Sequence, residues 1–188
     1  MDGNKIVLIG QSGVGKTSIV QRCLALGLMD QATIGVSFYR KIIKILDKDI
    51  ILNIWDTSGQ ERYSPLTKIY IRGAVCAIIV FDVTDRETFD SLTTWKHIID
   101  DFQIPHCIII ANKTDKNNHA VTELDIQQWC SKNSASSYFI GSALNNEGIN
   151  DLLTKLAGIV SNNNRSSYGT MNNISLSNNK DATNGCSC

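Results

Sequence analysis

The segment Gly10-Gln-Ser-Gly-Val-Gly-Lys16-Thr17 follows the apolar run Lys5–Ile9 and opens an amphipathic stretch, Lys16–Leu26. It matches the P-loop pattern G-x-x-x-x-G-K-[ST], which demands a strand before it and a helix after it. The glycines let backbone N–H groups converge on phosphate oxygens without Cβ clashes. The helix that starts there points its positive end at the same anion. Ser12, Gly13, Val14, Gly15, Lys16, Thr17 and Ser18 are therefore the expected nucleotide-phosphate residues. Lys16 would reach the terminal phosphates and the Thr17 hydroxyl would bind Mg²⁺. Chance produces such a pattern in about one chain of this length per hundred, and its position between a strand and a helix lowers that further.

The remaining sequence alternates in the same way. In Lys16–Leu26, Ile19, Val20, Cys23, Leu24 and Leu26 fall on one side. Ser37–Leu46 and Ile50–Trp55 flank Asp47-Lys48-Asp49, a hairpin signal. Val75–Phe81 and His106–Ala111 are continuous apolar runs, as in strands covered on both faces. Arg86–Phe102 reads as one helix carrying Phe89, Leu92, Trp95, Ile98 and Ile99 at helical spacing. Glu123–Lys132, Tyr138–Ile140 and Glu147–Val160 add a helix, a strand and a last helix. The expected fold is a three-layer α/β P-loop domain. Its six-stranded, mostly parallel sheet has one antiparallel edge strand and helices on both faces. Composition changes at Ser161: residues 1–160 form the expected domain, and the Asn/Ser-rich residues 161–188 an expected disordered tail.

Further polar clusters stand where the strands end, which is where such sheets bind ligands. In Asp56-Thr57-Ser58-Gly59-Gln60-Glu61, Asp56 is a carboxylate at a strand end, the Walker-B arrangement, and is expected to hold Mg²⁺ through water. Gly59 can offer its N–H to a γ-phosphate, and Gln60 can orient an attacking water. In Asn112-Lys113-Thr114-Asp115, the Asp115 carboxylate can accept from N1–H and N2–H₂ of guanine, donors that adenine lacks at those positions. The Lys113 stem can cover the base. Ser142-Ala143-Leu144 is a weaker signal, with the Ala143 N–H a candidate for guanine O6. Each cluster in isolation reads better as a polar turn; their order behind a P-loop reverses that preference.

Charge and cysteines narrow the function. The 188 residues carry 18 basic and 18 acidic side chains, a balance that argues against nucleic-acid binding. No apolar run approaches the ~20 residues of a membrane span. The start, Met1-Asp2-Gly3-Asn4-Lys5, has no signal-peptide core and no Gly at position 2, so synthesis in the cytosol is expected. Cys23, Cys76, Cys107 and Cys130 lie in apolar surroundings and read as small buried hydrophobes. Cys186 and Cys188 stand apart from them as a terminal pair.

Together, GQSGVGKT, TIGV at Thr33–Val36, WDTSGQE at Trp55–Glu61, NKTD at Asn112–Asp115 and SAL at Ser142–Leu144 resemble the Ras superfamily of small GTPases. IGVSF at Ile34–Phe38, IWDTSGQERY at Ile54–Tyr63, YIRGA at Tyr70–Ala74, FDVT at Phe81–Thr84 and the final Cys-Ser-Cys are similar to its Rab branch. The resemblance covers about residues 3–160 and the last three. It implies GTP/GDP and Mg²⁺ as ligands, and slow GTP hydrolysis with Gln60, Lys16 and Gly59 as the catalytic residues. Thr33 would place its hydroxyl on Mg²⁺ beside Thr17 and Asp56, and its N–H on the γ-phosphate. The segments around Thr33 and from Gly59 to about Arg72 would be switches that order around that phosphate. Ile34, Phe38, Trp55 and Tyr70 would form an effector surface; plain packing is the alternative for the aromatics. Cys186 and Cys188 would each carry a geranylgeranyl group, and two lipids anchor stably where one does not. The implied partners are effectors of the GTP form, an exchange factor, an activating protein, a prenylation escort and a lipid-shielding carrier. The implied setting is the cytoplasmic face of an endomembrane or vesicle, cycling with cytosol, around a monomeric core acting in vesicle trafficking.

Three departures from that pattern stand out. Ser58 replaces a common Ala. Leu26–Ala32 holds no aromatic to meet the guanine edge, which implies faster nucleotide exchange. Leu144 replaces a common Lys, and Gly141 precedes Ser142. Two rivals remain at this level: a nucleotide-dependent interaction protein that hydrolyses little, and another P-loop enzyme such as a nucleoside kinase.

Overall fold

The computed structural model describes residues 4–28, 33, 35–45, 47–59 and 66–172. In chain order the elements are β1 (Lys5–Ile9), α1 (Lys16–Cys23), β2 (Val36–Ile45), β3 (Lys48–Thr57), α2 (Leu66–Ile71) and β4 (Cys76–Asp82). Then follow α3 (Arg86–Asp90), α4 (Leu92–Asp101), β5 (His106–Asn112), α5 (Glu123–Lys132), β6 (Ser137–Ile140) and α6 (Ile149–Asn172).

The sheet runs β2-β3-β1-β4-β5-β6, parallel except for the β2–β3 pair, which places the hairpin strand β2 at one edge. Alternation along the strands divides the core in two. Ile6 and Leu8 of β1, Ile78 and Val80 of β4, and Ile108 and Ile110 of β5 pack with α1 and α6 on one face. Val7 and Ile9, Ala77, Ile79 and Phe81, and Ile109 and Ala111 pack on the other face with Trp95 and Ile99 of α4 and Ile126 of α5. Strands buried on both faces must be apolar at every position, which explains the continuous runs in β4 and β5. Because β1 lies between β3 and β4, its following loop opens at the point where strand order reverses, the usual ligand crevice.

Local chemistry moves several element ends from where the sequence pattern puts them. Helix α1 stops at Cys23, because Ala25 adopts φ +59 and the N–H groups of Ala25 and Leu26 turn back to the carbonyls of Arg22 and Gln21. The stretch Arg86–Phe102 divides at Ser91, whose hydroxyl donates to Thr88 O at 2.8 Å. Thr122 and Asp125 form a reciprocal capping box that starts α5 where expected. The backbone of α6 continues past Ser161 to Asn172. The expected disorder of the tail beyond Asn172 lies outside the described residues. Among the described residues no helix is long and apolar enough to cross a membrane.

Candidate functional site

The loop between β1 and α1 has the form that its glycines require. A Cβ on Gly10 (φ +138) would lie 2.3 Å from Val80 O, and one on Gly15 (φ +96) 2.3 Å from Asn112 Nδ2. Backbone therefore packs where any side chain would collide. Val14 is buried and anchors the loop, while Ser12 and Gly13 face outward and Gly15 and Ser18 are half-buried. Lys16 is also buried, and its ammonium folds back over the loop to donate to Gly10 O (3.0 Å) and Gln11 O (2.9 Å). An ammonium held there, at the mouth of a ring of backbone amides, supplies positive charge to an anion in the cradle.

Three oxygens from separate elements meet at the start of α1. Thr17 Oγ1 lies 2.5 Å from Thr33 Oγ1 and donates to Asp56 Oδ2 at 2.7 Å; Thr33 Oγ1 is 3.4 Å from the same carboxylate oxygen. Asp56 is fully buried near the end of β3. Two hydroxyls and a carboxylate are hard oxygen donors, and the set fits a small divalent cation such as Mg²⁺. Ser58 N–H donates to Gly35 O at 3.0 Å, tying the segment after β3 to the one before β2. Gly59, at φ +86, sits against the cradle: a Cβ there would lie 2.5 Å from both Ser12 N and Lys16 Nζ.

The side of the crevice where the sequence places base recognition is built from the ends of β5 and β6. Asn112 is buried, donates Nδ2–H to Val14 O (2.8 Å) and accepts from Ala143 N–H (3.0 Å). One amide thus joins phosphate loop, β5 and the Ser142–Leu144 loop. That Ala143 N–H faces the Asn112 oxygen in this structure, so any contact with a base oxygen would be shared with it. Ser142 Oγ donates to Asp115 Oδ1 at 2.5 Å and fixes the carboxylate, leaving Oδ2 as a further acceptor. Lys113 Nζ donates to Gly13 O at 2.7 Å. Leu144 is exposed, its side chain 59% accessible.

Arg22 was not singled out by any motif. It reaches from the last turn of α1 to donate to Ala143 O and Leu144 O, each at 2.7 Å, and so holds the base-side loop from behind. Its only signal in sequence is a basic residue in a helix's last turn, which is too common to read.

Phe38, Trp55 and Tyr70 do come together. Phe38 meets Trp55 edge-on with centroids 5.3 Å apart, and Trp55 lies 6.1 Å from Tyr70. The Lys5 ammonium stands 4.8 Å above the Trp55 ring. Phe38 is half exposed at the sheet edge, whereas Trp55 is partly buried against the core, so the cluster joins an exposed ring to core packing. Gln60, Ile34, Cys186 and Cys188 lie outside the described residues. The other four cysteines are buried thiols. Burial pushes Cys23 and Cys107 up to about 12 and Cys130 up to about 11, which keeps them protonated and unreactive.

A P-loop at the switch point, a hard-oxygen set at the start of the next helix and a base-side loop at β5 define a nucleotide-binding α/β switch domain. The sequence profile of the Ras family matches residues 5–162. A probable Rab-related GTPase of Acanthamoeba polyphaga mimivirus is 40% identical over 165 residues, covering 82% of this chain and 75% of that protein. The Ras-related protein Rab-32C of Dictyostelium discoideum is 37% identical over 163 residues (83% of this chain, 72% of the relative). The Ras-related protein Rab-7a of Paramecium octaurelia is 37% identical over 149 residues (74% and 72%). The chain belongs to the Ras family of small GTPases, enzymes that hydrolyse GTP to GDP, and is a divergent member of its Rab branch.

Proposed function

We propose that this GTPase is a Mg²⁺-dependent, membrane-anchored switch of vesicle trafficking. The observation that carries the reading is the meeting of Thr17, Thr33 and Asp56 oxygens within 3.4 Å. Thr33 precedes β2 and Asp56 lies one residue before the end of β3, so a cation held by this set would link both segments to the phosphate loop. Bound there, Mg²⁺ would neutralise charge on the β- and γ-phosphate oxygens.

The chain's own groups do the rest. The backbone amides of Gly13–Thr17 and the Lys16 ammonium bind the phosphates and stabilise the charge that develops as water attacks in line. Gln60 orients that water, and the Gly59 N–H holds the γ-phosphate. Asn112, Asp115, Ser142 and Ala143 select guanine, with the Lys113 stem over the base. Loss of the γ-phosphate frees Thr33 and Gly59, and the Phe38–Trp55–Tyr70 surface with Ile34 reports the change to effectors. An exchange factor and an activating protein would drive the two directions of the cycle. Geranylgeranyl groups on Cys186 and Cys188 would hold the protein at an endomembrane, and a lipid-shielding carrier would return it to the cytosol.

The test is affinity capture from a cell extract with the full chain loaded with a non-hydrolysable GTP analogue or with GDP. It is paired with membrane flotation of the prenylated chain. The expected results are partners specific to the GTP form and flotation that is lost in Cys186→Ser/Cys188→Ser. Equal capture by both forms refutes the switch, and flotation of the double variant refutes the anchor.

A further inference from the structure

Asp82 ends β4 beside Asn112, its register partner at the end of β5. It is buried, yet it belongs to neither the phosphate loop, the cation set nor the base-side loops. Its Oδ1 accepts from Thr84 N–H (2.9 Å) and from Thr84 Oγ1 (2.7 Å). Its Oδ2 faces Lys113 Nζ at 2.7 Å. That same ammonium donates to Gly13 O, also at 2.7 Å. Lys113 is thus held at its tip by a carboxylate from β4 and a carbonyl from the phosphate loop.

Its backbone is unusual as well. Lys113 has φ +71, a left-handed conformation that a residue with a Cβ keeps only when its surroundings over-determine it. The side chain's two anchors supply such a determination. The pair is shielded, with the Asp82 side chain 9% and the Lys113 side chain 26% exposed, so water replaces either partner poorly. Burial alone would raise the Asp82 carboxyl, but the Lys113 ammonium and the hydrogen bonds that the carboxylate accepts from Thr84 hold it below its ordinary range, consistent with a standing ion pair.

We propose that Asp82 is a positioning residue for nucleotide retention: by pinning Lys113 against Gly13 O it joins base-side loop and phosphate loop into one cradle that releases nucleotide slowly. This rests on the reading of Asn112–Asp115 as the base-recognition loop. Asp82 touches no nucleotide itself. Thr84 sets the rotamer of the carboxylate, Asp82 sets the ammonium, and the ammonium sets the loop.

The experiment follows release of a fluorescent GDP from the full-length, Mg²⁺-loaded protein. Asp82→Asn keeps the shape and removes the charge, and release should accelerate about tenfold. Lys113→Met should accelerate it as well, and the double variant should release no faster than Lys113→Met alone, since both act through one contact. Asp82→Glu should recover most of the loss. Release from Asp82→Asn at the wild-type rate, or multiplying effects in the double variant, overturns the proposal. Should Asp82→Asn not fold, Thr84→Val decides: a two- to threefold acceleration supports the chain of contacts and a wild-type rate overturns it. Release of IDP, which lacks the 2-amino group, separates this from the reading beneath it. If the wild type releases IDP and GDP equally fast, the base-recognition reading fails. If it retains GDP better while Asp82→Asn changes nothing, only the role of Asp82 fails.

Discussion

Asn112→Ala tests the joint between the two halves of the nucleotide site. The wild-type amide is 3% exposed and makes two hydrogen bonds, to Val14 O at 2.8 Å and from Ala143 N–H at 3.0 Å. Truncation leaves a buried carbonyl and a buried N–H without that partner, at about 1–3 kcal/mol each. Local relaxation recovers some of this, so about 2–4 kcal/mol should be lost from the closed site. At 1.36 kcal/mol per factor of ten, that is about 30- to 1000-fold in GDP affinity. Titration calorimetry and the release rate of a fluorescent GDP both read it. Asn112→Asp sets a carboxylate oxygen against Val14 O and buries a charge, so it should lose at least as much GDP affinity as Asn112→Ala although it still accepts from Ala143 N–H. Retention of GDP within threefold of wild type by Asn112→Ala would refute the reasoning.

Three further outcomes follow from single sites. Gly59→Ala must fit a methyl group 2.5 Å from Ser12 N, at φ +86, so switch closure should be blocked and single-turnover GTP hydrolysis should fall at least about tenfold; an unchanged rate contradicts this. His106 is held below its ordinary pKa by burial and then by Lys155. The folded state therefore takes up its proton less readily than the unfolded chain, and stability falls as pH drops from ~6.5 through the lower folded value. Thermal melts at pH 7.5 and 5.5 should show a smaller acid loss in His106→Gln than in wild type; an equal loss removes His106 as the cause. Trp95 is fully buried and its Nε1–H has no hydrogen-bond partner among the described residues, so Trp95→Phe trades lost volume against a relieved polar group. Denaturant unfolding should show a cost of only about 1–2 kcal/mol, against about 3–5 for Trp95→Ala; equal costs would refute the offset.

Much of the fold is legible because strands and helices leave different periods in the chain. β4 and β5 show as unbroken apolar runs, since both their faces are covered. Glu123–Lys132 is placed correctly at both ends, because its capping box is local chemistry. Ser91 and Ala25 are different. Nothing in the apolar spacing of Arg86–Phe102 marks the break at Ser91, which depends on a hydroxyl turning back to Thr88 O. Among the candidate site residues, Lys16, Thr17, Asp56, Asn112 and Asp115 stand out by type and spacing. Arg22 and Asp82 do not, because an arginine in a last turn and an aspartate at a strand end are ordinary until their partners are known.

The sequence by itself determined the chemistry on offer: a glycine-rich loop after a strand, an acid and two hydroxyls, an amide and a carboxylate with the donors and acceptors a base would need, and two cysteines at the end. These are local properties of residue type and short spacing. Only the tertiary structure decided which of them act together. Gly13 and Lys113 are 100 residues apart in the chain and 2.7 Å apart in space, and Arg22 reaches a carbonyl 121 residues away. Such contacts depend on strand order, which sets β1 between β3 and β4 and brings every loop at that edge to one crevice. Strand order is a global result of burying two apolar faces at once, and no short stretch of sequence encodes it.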